Sequence, residues 1–492
     1  MEFIIAFFKF VFVVVEKTLG FLLSLLEAIL GVKPSPSKEG YQSTIGSVSS
    51  VASIFNKGFC INGTHAMTLS DSYKNCLLIG STGTGKSTCV ILPTLLKAKP
   101  NYSLVITDPS GELLEQSSGY LKEQGFNILT LNFSDSQYSE GYNPLAQIKN
   151  EQDIEKIASM LVSNSLGDKK GGDPFWSISA TNLLSMCITI IRELEPSYLN
   201  LYNVRFLLNM LGSESELIDK LFSRTDNQLL YDEYKSFLSN GEKLNSNIIA
   251  TAKAAVQIFT NPAVAKVTSI DTLNLQALRE KPTALFIGTS VPDQKYFSVL
   301  NALFFEQLFG FFMHRLPKEN ELSCLMLVDE AATVLSRVPT LTTALANLRK
   351  YRVGGLYAIQ SLPQLFNNYG QHDTESLKAN CYAKIFLGGG NQPLETYNEL
   401  EKTLGRYTQV NKEKGTEKVL PLMAAEQIRT MSSSKGLMIC GNKPGILMSL
   451  KPHYKNWTLK ARSKMPTAVL TQKIPQGKVP TLPLESINDY IQ

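Results

Sequence analysis

A glycine-rich segment has the residue types and the spacing of a loop that binds phosphate groups. Its residues fit the pattern G-x-x-x-x-G-K-[ST] and are Gly80, Ser81, Thr82, Gly83, Thr84, Gly85, Lys86 and Ser87, followed by Thr88. The apolar run from Cys76 to Ile79 precedes the loop and an apolar helical pattern follows it, as the motif requires. Glycines let backbone N–H groups turn towards phosphates, Lys86 reaches the β and γ oxygens, and Ser87 ligates Mg²⁺. We therefore predict that this loop, the P-loop, binds ATP with Mg²⁺.

A second element with catalytic residue types is an apolar run that ends in two acids. Residues 324–328 read as a buried strand, and Asp329 and Glu330 follow it directly. We predict that Asp329 holds Mg²⁺ through water and that Glu330 polarises the attacking water molecule. Taken alone, the same pattern also fits an ordinary strand followed by a helix cap. The upstream P-loop favours the catalytic interpretation.

The next apolar run, Gly354 to Ile359, ends in Gln360, whose side chain could hydrogen-bond to the γ-phosphate. Three basic residues, Arg349, Lys350 and Arg352, precede this run. We predict that Arg352 or Arg349 acts as an arginine finger on an adjacent subunit. Surface ion pairs account equally well for each arginine taken singly. The predicted catalytic residues are thus Lys86, Glu330, Gln360 and Arg352.

The composition excludes two other classes of site. The chain has seven cysteines, an odd number with no CxxC pair, and four scattered histidines. This usage argues against a disulfide framework and against a zinc site, and it places the body of the chain in a reducing compartment.

The organisation of the chain indicates an α/β fold with a parallel sheet. With 492 residues, it exceeds what one hydrophobic core usually supports. Short apolar runs alternate with helical patterns, and we predict strands at 76–79, 104–107, 128–132, 284–287, 324–328, 355–359, 384–387, 437–440 and 446–450. Between the third and fourth strands the pattern is helical. We predict an ATPase core at 57–150 and 263–465, an inserted all-helical domain at 151–262 and a C-terminal tail at 466–492.

The first 30 residues are almost wholly apolar, and most of their few charges fall on one narrow stripe of a helix. They lack the basic start and the small-residue cleavage site of a signal peptide. We predict a membrane-associated helix at 1–30 that lies in the interface or spans only within an oligomer. Packing against the protein's own body is the alternative. Residues 31–56, rich in Ser, Gly and Pro, read as a flexible linker.

Positive charge is concentrated near the C-terminus. Between Gln427 and Leu484 there are ten basic residues and no Asp or Glu, although the net charge of the whole chain is only +5. Such a stretch suits the phosphates of nucleic acid or an anionic membrane surface. A solvated tail is the alternative interpretation.

An ordered set of short segments resembles the type IV secretion coupling proteins of the TraG/TraD kind. Besides the P-loop and the segments at 328–330 and 360–370, the matching residues are Val105 to Glu112, Tyr142 to Leu145, and Asp173 to Trp176. The sequence differs from that family at Ser110, where a lysine is usual, and at Ala331, where an aromatic residue is common. It also shows one charged apolar N-terminal helix in place of two clear membrane helices.

The resemblance implies a RecA-type P-loop NTPase core that assembles as a homo-hexamer on the cytoplasmic face of the bacterial inner membrane. It also implies DNA, a relaxase or accessory proteins, and secretion channel components as partners. We expect an ATP-driven motor that feeds relaxase-bound DNA, without sequence preference, into a conjugation channel. The rival hypothesis is a membrane receptor that docks protein substrates and whose assembly is controlled by nucleotide. Glu330 and Gln360 favour the motor, because a pure receptor needs neither.

Overall fold

The computed structural model describes residues 42–166, 173–213, 215–288, 291–411 and 416–483. The predicted helix at 1–30 and the first part of the predicted linker lie outside the described residues. The chain divides into two compact units. The large unit comprises Ile45–Leu400 and Ala425–Gln492, and the small unit comprises Met1–Thr44 and Glu401–Ala424.

A nine-stranded sheet forms the centre of the large unit. In chain order, the strands of both units are β1 (Cys76–Ile79), β2 (Tyr102–Asp108), β3 (Asn127–Asn132), β4 (Thr283–Gly288), β5 (Ser323–Val328), β6 (Val353–Ile359), β7 (Ala383–Leu387), β8 (Arg406–Asn411), β9 (Thr416–Pro421), β10 (Lys435–Cys440) and β11 (Ile446–Ser449). The strands of the large sheet lie in the order β11-β10-β7-β1-β6-β5-β2-β4-β3. Its first seven strands in the chain pair in parallel, and β10 and β11 extend the sheet antiparallel beyond β7.

The strand predictions are confirmed for all nine strands of this sheet, with ends shifted by at most two residues. The reason is visible in the burial of β5, in which every residue from Ser323 to Val328 is buried. Strands covered by helices on both faces consist of nearly continuous apolar residues, which makes them conspicuous in a sequence.

Helices cover the sheet and fill the segment between β3 and β4. The P-loop helix comprises Lys86–Ile91 and continues as Leu92–Leu95. The other α-helices are α1 (Leu69–Ser72), α2 (Glu112–Glu123), α3 (Glu151–Leu166), α4 (Pro174–Arg192), α5 (Leu201–Leu211), α6 (Ser215–Phe222), α7 (Gln228–Ser239), α8 (Glu242–Ala255), α9 (Pro262–Ser269), α10 (Ala277–Glu280), α11 (Ser298–Met313), α12 (Ala331–Val334), α13 (Leu341–Asn347), α14 (Leu362–Ala379), α15 (Leu394–Leu404), α16 (Ala425–Arg429) and α17 (Trp457–Arg462). Single 3₁₀ turns lie at Val48–Ser50, Pro144–Gln147, Pro196–Tyr198, Gln257–Thr260, Val291–Asp293, Leu348–Tyr351 and His453–Lys455.

The segment between β3 and β4 contains helices α3 to α10, as the sequence predicts for 151–262, and the helices continue past that boundary. Helix α4 is long and apolar enough to cross a membrane by length and composition. It packs against α3, α5, α7 and α8, and buries Leu183, Leu184, Ile188 and Ile191, which is the behaviour of a central core helix. The segment shares one compact unit with the sheet, so its independence as a domain stays a prediction.

Two segments predicted to be loosely attached are packed on the large unit. In the predicted linker, Val51 and Ala52 are buried and Ser53 pairs with Ala66. In the predicted tail, Ala468 donates its N–H to Ser118 Oγ, and Leu482 donates to Asn203 Oδ1. Within the predicted linker at 31–56, residues 51–53 are therefore packed, and the predicted C-terminal tail at 466–492 is attached at Ala468 and Leu482. Sparse buried apolar residues anchor both segments, Val51 and Ala52 in the first and Ala468, Ile474 and Leu482 in the second.

The sequence reading missed an antiparallel ribbon formed by β8 and β9 in the small unit. This part of the chain was assigned to the ATPase core at 263–465. Residues 416–419 of β9 are exposed, so the ribbon has no apolar periodicity that distinguishes it from a loop.

Candidate nucleotide site

Topology brings the predicted catalytic segments to one edge of the large sheet. The P-loop follows β1, Asp329 and Glu330 follow β5, and Gln360 follows β6. These three strands are neighbours in the order β1-β6-β5 and run in parallel, so their carboxyl ends meet at the same edge. Ligands of open parallel sheets bind at this edge.

The backbone of the P-loop has the shape that phosphate binding requires. Gly83 and Gly85 have φ values of 80° and 98°, in the region that favours glycine. A Cβ atom on Gly80 would lie 2.5 Å from Thr84 Oγ1. Lys86 is buried, and its Nζ donates to the carbonyl of Gly80 at 2.8 Å. The loop therefore curves around the ammonium group of Lys86. This shape fits a chain of phosphate groups.

The donor set beside the loop suits Mg²⁺. A hydroxyl from Ser87 and a carboxylate from Asp329 are hard oxygen ligands, and Mg²⁺ in phosphate sites usually retains several waters. Within the described residues no group of three or more His, Cys, Asp or Glu side chains could hold a metal ion. A cation held by Ser87 and Asp329 would complete its coordination with phosphate and water.

Charged side chains near Asp329 change the pKa of its carboxyl group. Burial and, to a smaller extent, the negative charge of Glu330 together raise the pKa of Asp329 to about 6, against the opposing effect of the positive charge of Lys86. The charge of Lys86 acts on Asp329 because the P-loop and the end of β5 are close together. An additional cation at this point would stabilise the ionised carboxylate.

Glu330 is held in an unusual backbone conformation. Its φ of 52° and ψ of 42° lie in the left-handed region, which costs a residue with a side chain roughly 1–2 kcal/mol. Gln360 Nε2 donates to both carboxylate oxygens of Glu330, at 3.0 and 3.1 Å. In addition, Thr107 Oγ1 donates to the carbonyl of Asp329 at 2.9 Å. The structure thus brings Glu330 and Gln360 into direct contact, as the sequence alone could not establish.

The helix after Glu330 is fixed by the segment at 360–370. Asn368 Nδ2 donates to the carbonyl of Ala332 at 2.5 Å, and the Tyr369 hydroxyl donates to the carbonyl of Leu335. These residues hold α12 and, through it, the backbone of Glu330. The segment therefore has a positioning role that its sequence did not reveal.

Arg352 lies at the amino end of β6, the end opposite to the nucleotide site. It immediately precedes β6, whereas Gln360 follows the same strand, so roughly 25 Å of strand separates them. Its guanidinium donates to the carbonyl of Lys318. Arg349 is exposed on the 3₁₀ turn just before it. Neither arginine belongs to the nucleotide site of its own chain, and an action on an adjacent subunit stays a prediction.

Sequence reasoning assigned no role to Asp108, which ends β2. It is 3% exposed, and burial raises its pKa. Its Oδ2 accepts from the N–H of Leu114 at 2.7 Å, while Oδ1 has no hydrogen-bond partner in the described part of the chain. The position after a central parallel strand was the available signal. Gln392, in the loop that follows β7, was missed entirely because no motif marks it.

The segment from Tyr142 to Leu145 makes hydrogen bonds that connect separate helical parts of the fold. The Tyr142 hydroxyl donates to Gln307 Oε1 at 2.5 Å, and Gln307 Nε2 donates to the carbonyl of Pro144 at 2.8 Å. Asn143 Nδ2 donates to the carbonyl of Leu199 at 2.6 Å. The segment therefore ties helix α11 to the helical insertion. Asp173 is likewise structural, because its Oδ1 accepts from the N–H of Phe175 and caps α4.

Comparison with known proteins yields consistent matches. Residues 37–477 match the family model described as type IV secretory system conjugative DNA transfer. The protein VirD4 of Rhizobium radiobacter is 22% identical over 403 residues, which cover 78% of this chain and 57% of VirD4. This chain therefore spans little more than half the length of that relative.

Two solved structures of the plasmid coupling protein TrwB share the fold. The complex with a non-hydrolysable ATP analogue has a TM-score of 0.65 at 18% identity, covering 91% of this chain and 99% of TrwB. The complex with ADP and Mg²⁺ has a TM-score of 0.60 at 18% identity, covering 85% of this chain and 96% of TrwB. This chain therefore has the fold of TrwB.

Proposed function

Because this chain belongs to the type IV secretory system conjugative DNA transfer family, we propose that it is an ATP-hydrolysing coupling protein that drives DNA into a conjugation channel. The observation that carries the proposal is the meeting of the P-loop, Asp329, Glu330 and Gln360 at one sheet edge. The ligands named for the TrwB structures, an ATP analogue and ADP with Mg²⁺, support ATP and Mg²⁺ as the ligands here. Family membership supports a relaxase, channel components and a homo-hexameric ring as partners.

In the proposed mechanism each residue has a separate task. Lys86 and the P-loop amides bind the β- and γ-phosphates, while Ser87 and Asp329 would hold Mg²⁺. Mg²⁺, when bound, neutralises charge on the phosphate oxygens. Glu330 orients and polarises the attacking water, and Gln360 holds the Glu330 carboxylate by two hydrogen bonds. Measuring ATP turnover of residues 45–492, with and without DNA, tests this function. No turnover under either condition would favour the docking receptor.

The structure supports one part of the basic stretch as a DNA-binding surface. We define the α17 surface as Tyr454, Lys455, Trp457, Lys460 and Lys464. Trp457 is 83% exposed and Tyr454 is 51% exposed, and the three lysines are also exposed. Exposed aromatic rings that stack on unpaired bases, beside lysines that contact phosphates, are typical of surfaces that bind single strands.

One arginine of the basic stretch, Arg462, does not belong to this surface. Arg462 Nη1 donates to the carbonyl of Leu96 at 2.7 Å, and its guanidinium lies 4.7 Å from the centre of the Tyr120 ring. Arg462, one of the ten basic residues between Gln427 and Leu484, therefore has its guanidinium engaged within the protein. Its side chain anchors α17 against α2 and the P-loop helix.

Reversing the charges of Lys455, Lys460 and Lys464 to Glu is expected to flatten the plot of log affinity against log salt. The slope should fall by about 2 to 3 units, since each lost phosphate contact contributes roughly 0.7 to 0.9. Fluorescence anisotropy with labelled oligonucleotides at several salt concentrations measures the slope. The matched control reverses the exposed residues Lys122, Lys220 and Lys243. An unchanged slope in the first variant would assign the α17 lysines to another role.

Tryptophan fluorescence gives a direct test of base stacking. The chain contains two tryptophans, Trp176 and Trp457, so a Trp176→Phe variant leaves Trp457 as the single reporter. Single-stranded DNA should quench its emission more strongly than duplex DNA of the same length. Equal responses to both would indicate phosphate contacts without stacking.

The apolar residues 1–30, which lie outside the described residues, support the proposal of attachment to the cytoplasmic face of the inner membrane. Full-length protein is expected in the membrane fraction of lysed cells at physiological salt. A chain that starts at Ile45 should appear in the soluble fraction with its ATPase activity intact. Full-length protein in the soluble fraction would contradict membrane attachment.

A further inference from the structure

The loop that follows β7, residues 388–392, lies directly against the P-loop. Ser81 Oγ donates to the carbonyl of Asn391 at 2.9 Å. A Cβ atom on Gly390 would lie 2.9 Å from Ser81 Oγ and from Thr84 Cγ2, so this close approach requires glycine. Because β7 is the parallel neighbour of β1, its loop emerges at the same sheet edge as the P-loop.

The side chain of Gln392 connects the P-loop to the end of β6. Its Nε2 donates to the carbonyl of Gln360 at 2.7 Å and to Ser81 Oγ at 3.2 Å. Gln360 Nε2 in turn donates to both carboxylate oxygens of Glu330. A continuous chain of hydrogen bonds therefore runs from Ser81 through Gln392 and Gln360 to Glu330.

The loop itself holds Gln392 in this position. The N–H of Gln392 donates to the Tyr397 hydroxyl at 3.0 Å, and that hydroxyl donates to the carbonyl of Gly390 at 3.2 Å. Gln392 Oε1 is buried without a partner in the described part of the chain. Burying a carbonyl oxygen without a donor is unfavourable. The orientation of the amide is thus set by its two donated hydrogen bonds.

We propose that Gln392 is a positioning residue that transmits contact at the P-loop to Gln360 and, through it, to Glu330. Ser81 belongs to the loop that would surround the phosphates, so a shift of Ser81 changes one of the two acceptors of Gln392. The other acceptor, the carbonyl of Gln360, fixes the direction in which Gln360 reaches Glu330. The proposal rests on the proposed ATP hydrolysis and concerns its regulation at the same site.

A double-mutant cycle tests this coupling. Gln392→Ala should lower kcat about ten-fold, the effect of losing roughly one hydrogen bond, while the dissociation constant of a fluorescent ATP analogue changes by less than about three-fold. In combination with Gln360→Ala, it should lower kcat no further than Gln360→Ala alone. Gln392→Met, which keeps the length of the side chain but has no N–H donor and adds no charge, should behave like Gln392→Ala. Asn391→Ala is the matched control, because Asn391 contributes its backbone carbonyl to this contact.

Hydrogen exchange gives a measurement that does not depend on turnover. With a non-hydrolysable ATP analogue and Mg²⁺, wild-type protein should gain protection both at the P-loop and at residues 330–335. Gln392→Met should keep the response at the P-loop and lose the response at residues 330–335. Two results would overturn the proposal. One is that the losses of kcat caused by the Gln392 and Gln360 substitutions add up in the double variant, and the other is that the Gln392 variant keeps the wild-type protection at residues 330–335. A wild-type protein without ATP turnover would contradict the proposed function, while the exchange result would still decide the role of Gln392.

Discussion

Lys86→Ala is expected to abolish nucleotide binding and ATP turnover. Lys86 is buried at the start of the P-loop helix, where its ammonium donates to the carbonyl of Gly80 and offsets the charge of Asp329. Without it, the phosphates lose their nearest positive charge. Losses of preorganised charge stabilisation typically lower rates by about 10²–10³-fold. Isothermal titration with ATP and a phosphate-release assay measure both effects.

Two variants serve as comparisons for this result. Lys122→Ala removes an exposed ammonium from the last turn of α2 and should leave binding and turnover unchanged. Asp329→Ala should also abolish turnover, because one of the two predicted Mg²⁺ ligands is lost. ATP turnover near the wild-type rate in Lys86→Ala would remove the P-loop from the mechanism.

Glu330→Gln is expected to bind Mg-ATP but to lose turnover by a factor of about 10² or more. The amide keeps the size of the side chain and the strained backbone, but it cannot accept a proton from water. The substitution also removes the negative charge that raises the pKa of Asp329. Magnesium-dependent nucleotide binding should therefore be unchanged or tighter, which separates this variant from Lys86→Ala.

The decisive comparison is a pair of measurements on one preparation. Binding of a fluorescent ATP analogue in Mg²⁺ gives the dissociation constant, and single-turnover hydrolysis gives the rate of the chemical step. Loss of both would indicate that Glu330 supports the site structurally. Wild-type hydrolysis would show that another group activates the water.

The parts of the fold that were predictable are those governed by local patterns. Buried parallel strands consist of apolar runs, so the nine strands of the sheet could be found in the sequence. The P-loop and the Asp329–Glu330 pair could be found because each stands at the end of such a run. The P-loop and the Asp329–Glu330 pair then come close together because the carboxyl ends of parallel strands meet at one sheet edge. This requires only that β1 and β5 lie near one another in the sheet.

The parts that could not be predicted depend on long-range contacts. Gln392 acquires its role only because β7 pairs with β1, and nothing near Gln392 in the sequence reveals that pairing. Arg462 carries the same charge as its neighbours in the basic stretch. Its guanidinium nevertheless packs on the Tyr120 ring, so Arg462 is not part of the α17 surface. Packing of the segment at 466–483 likewise depends on acceptors in distant helices.

The position of β1 within the sheet also governs the order in which the protein can be made. Residues of β1 leave the ribosome about 280 positions before their partners in β6, and β7 follows later still. At roughly 5–20 residues per second, a fully apolar strand waits about 15–55 s for its first partner. Until then, no carboxyl end of a neighbouring strand lies beside the P-loop to complete the site. A nascent chain that already contains the whole P-loop motif therefore still lacks the neighbouring strands whose ends complete the site.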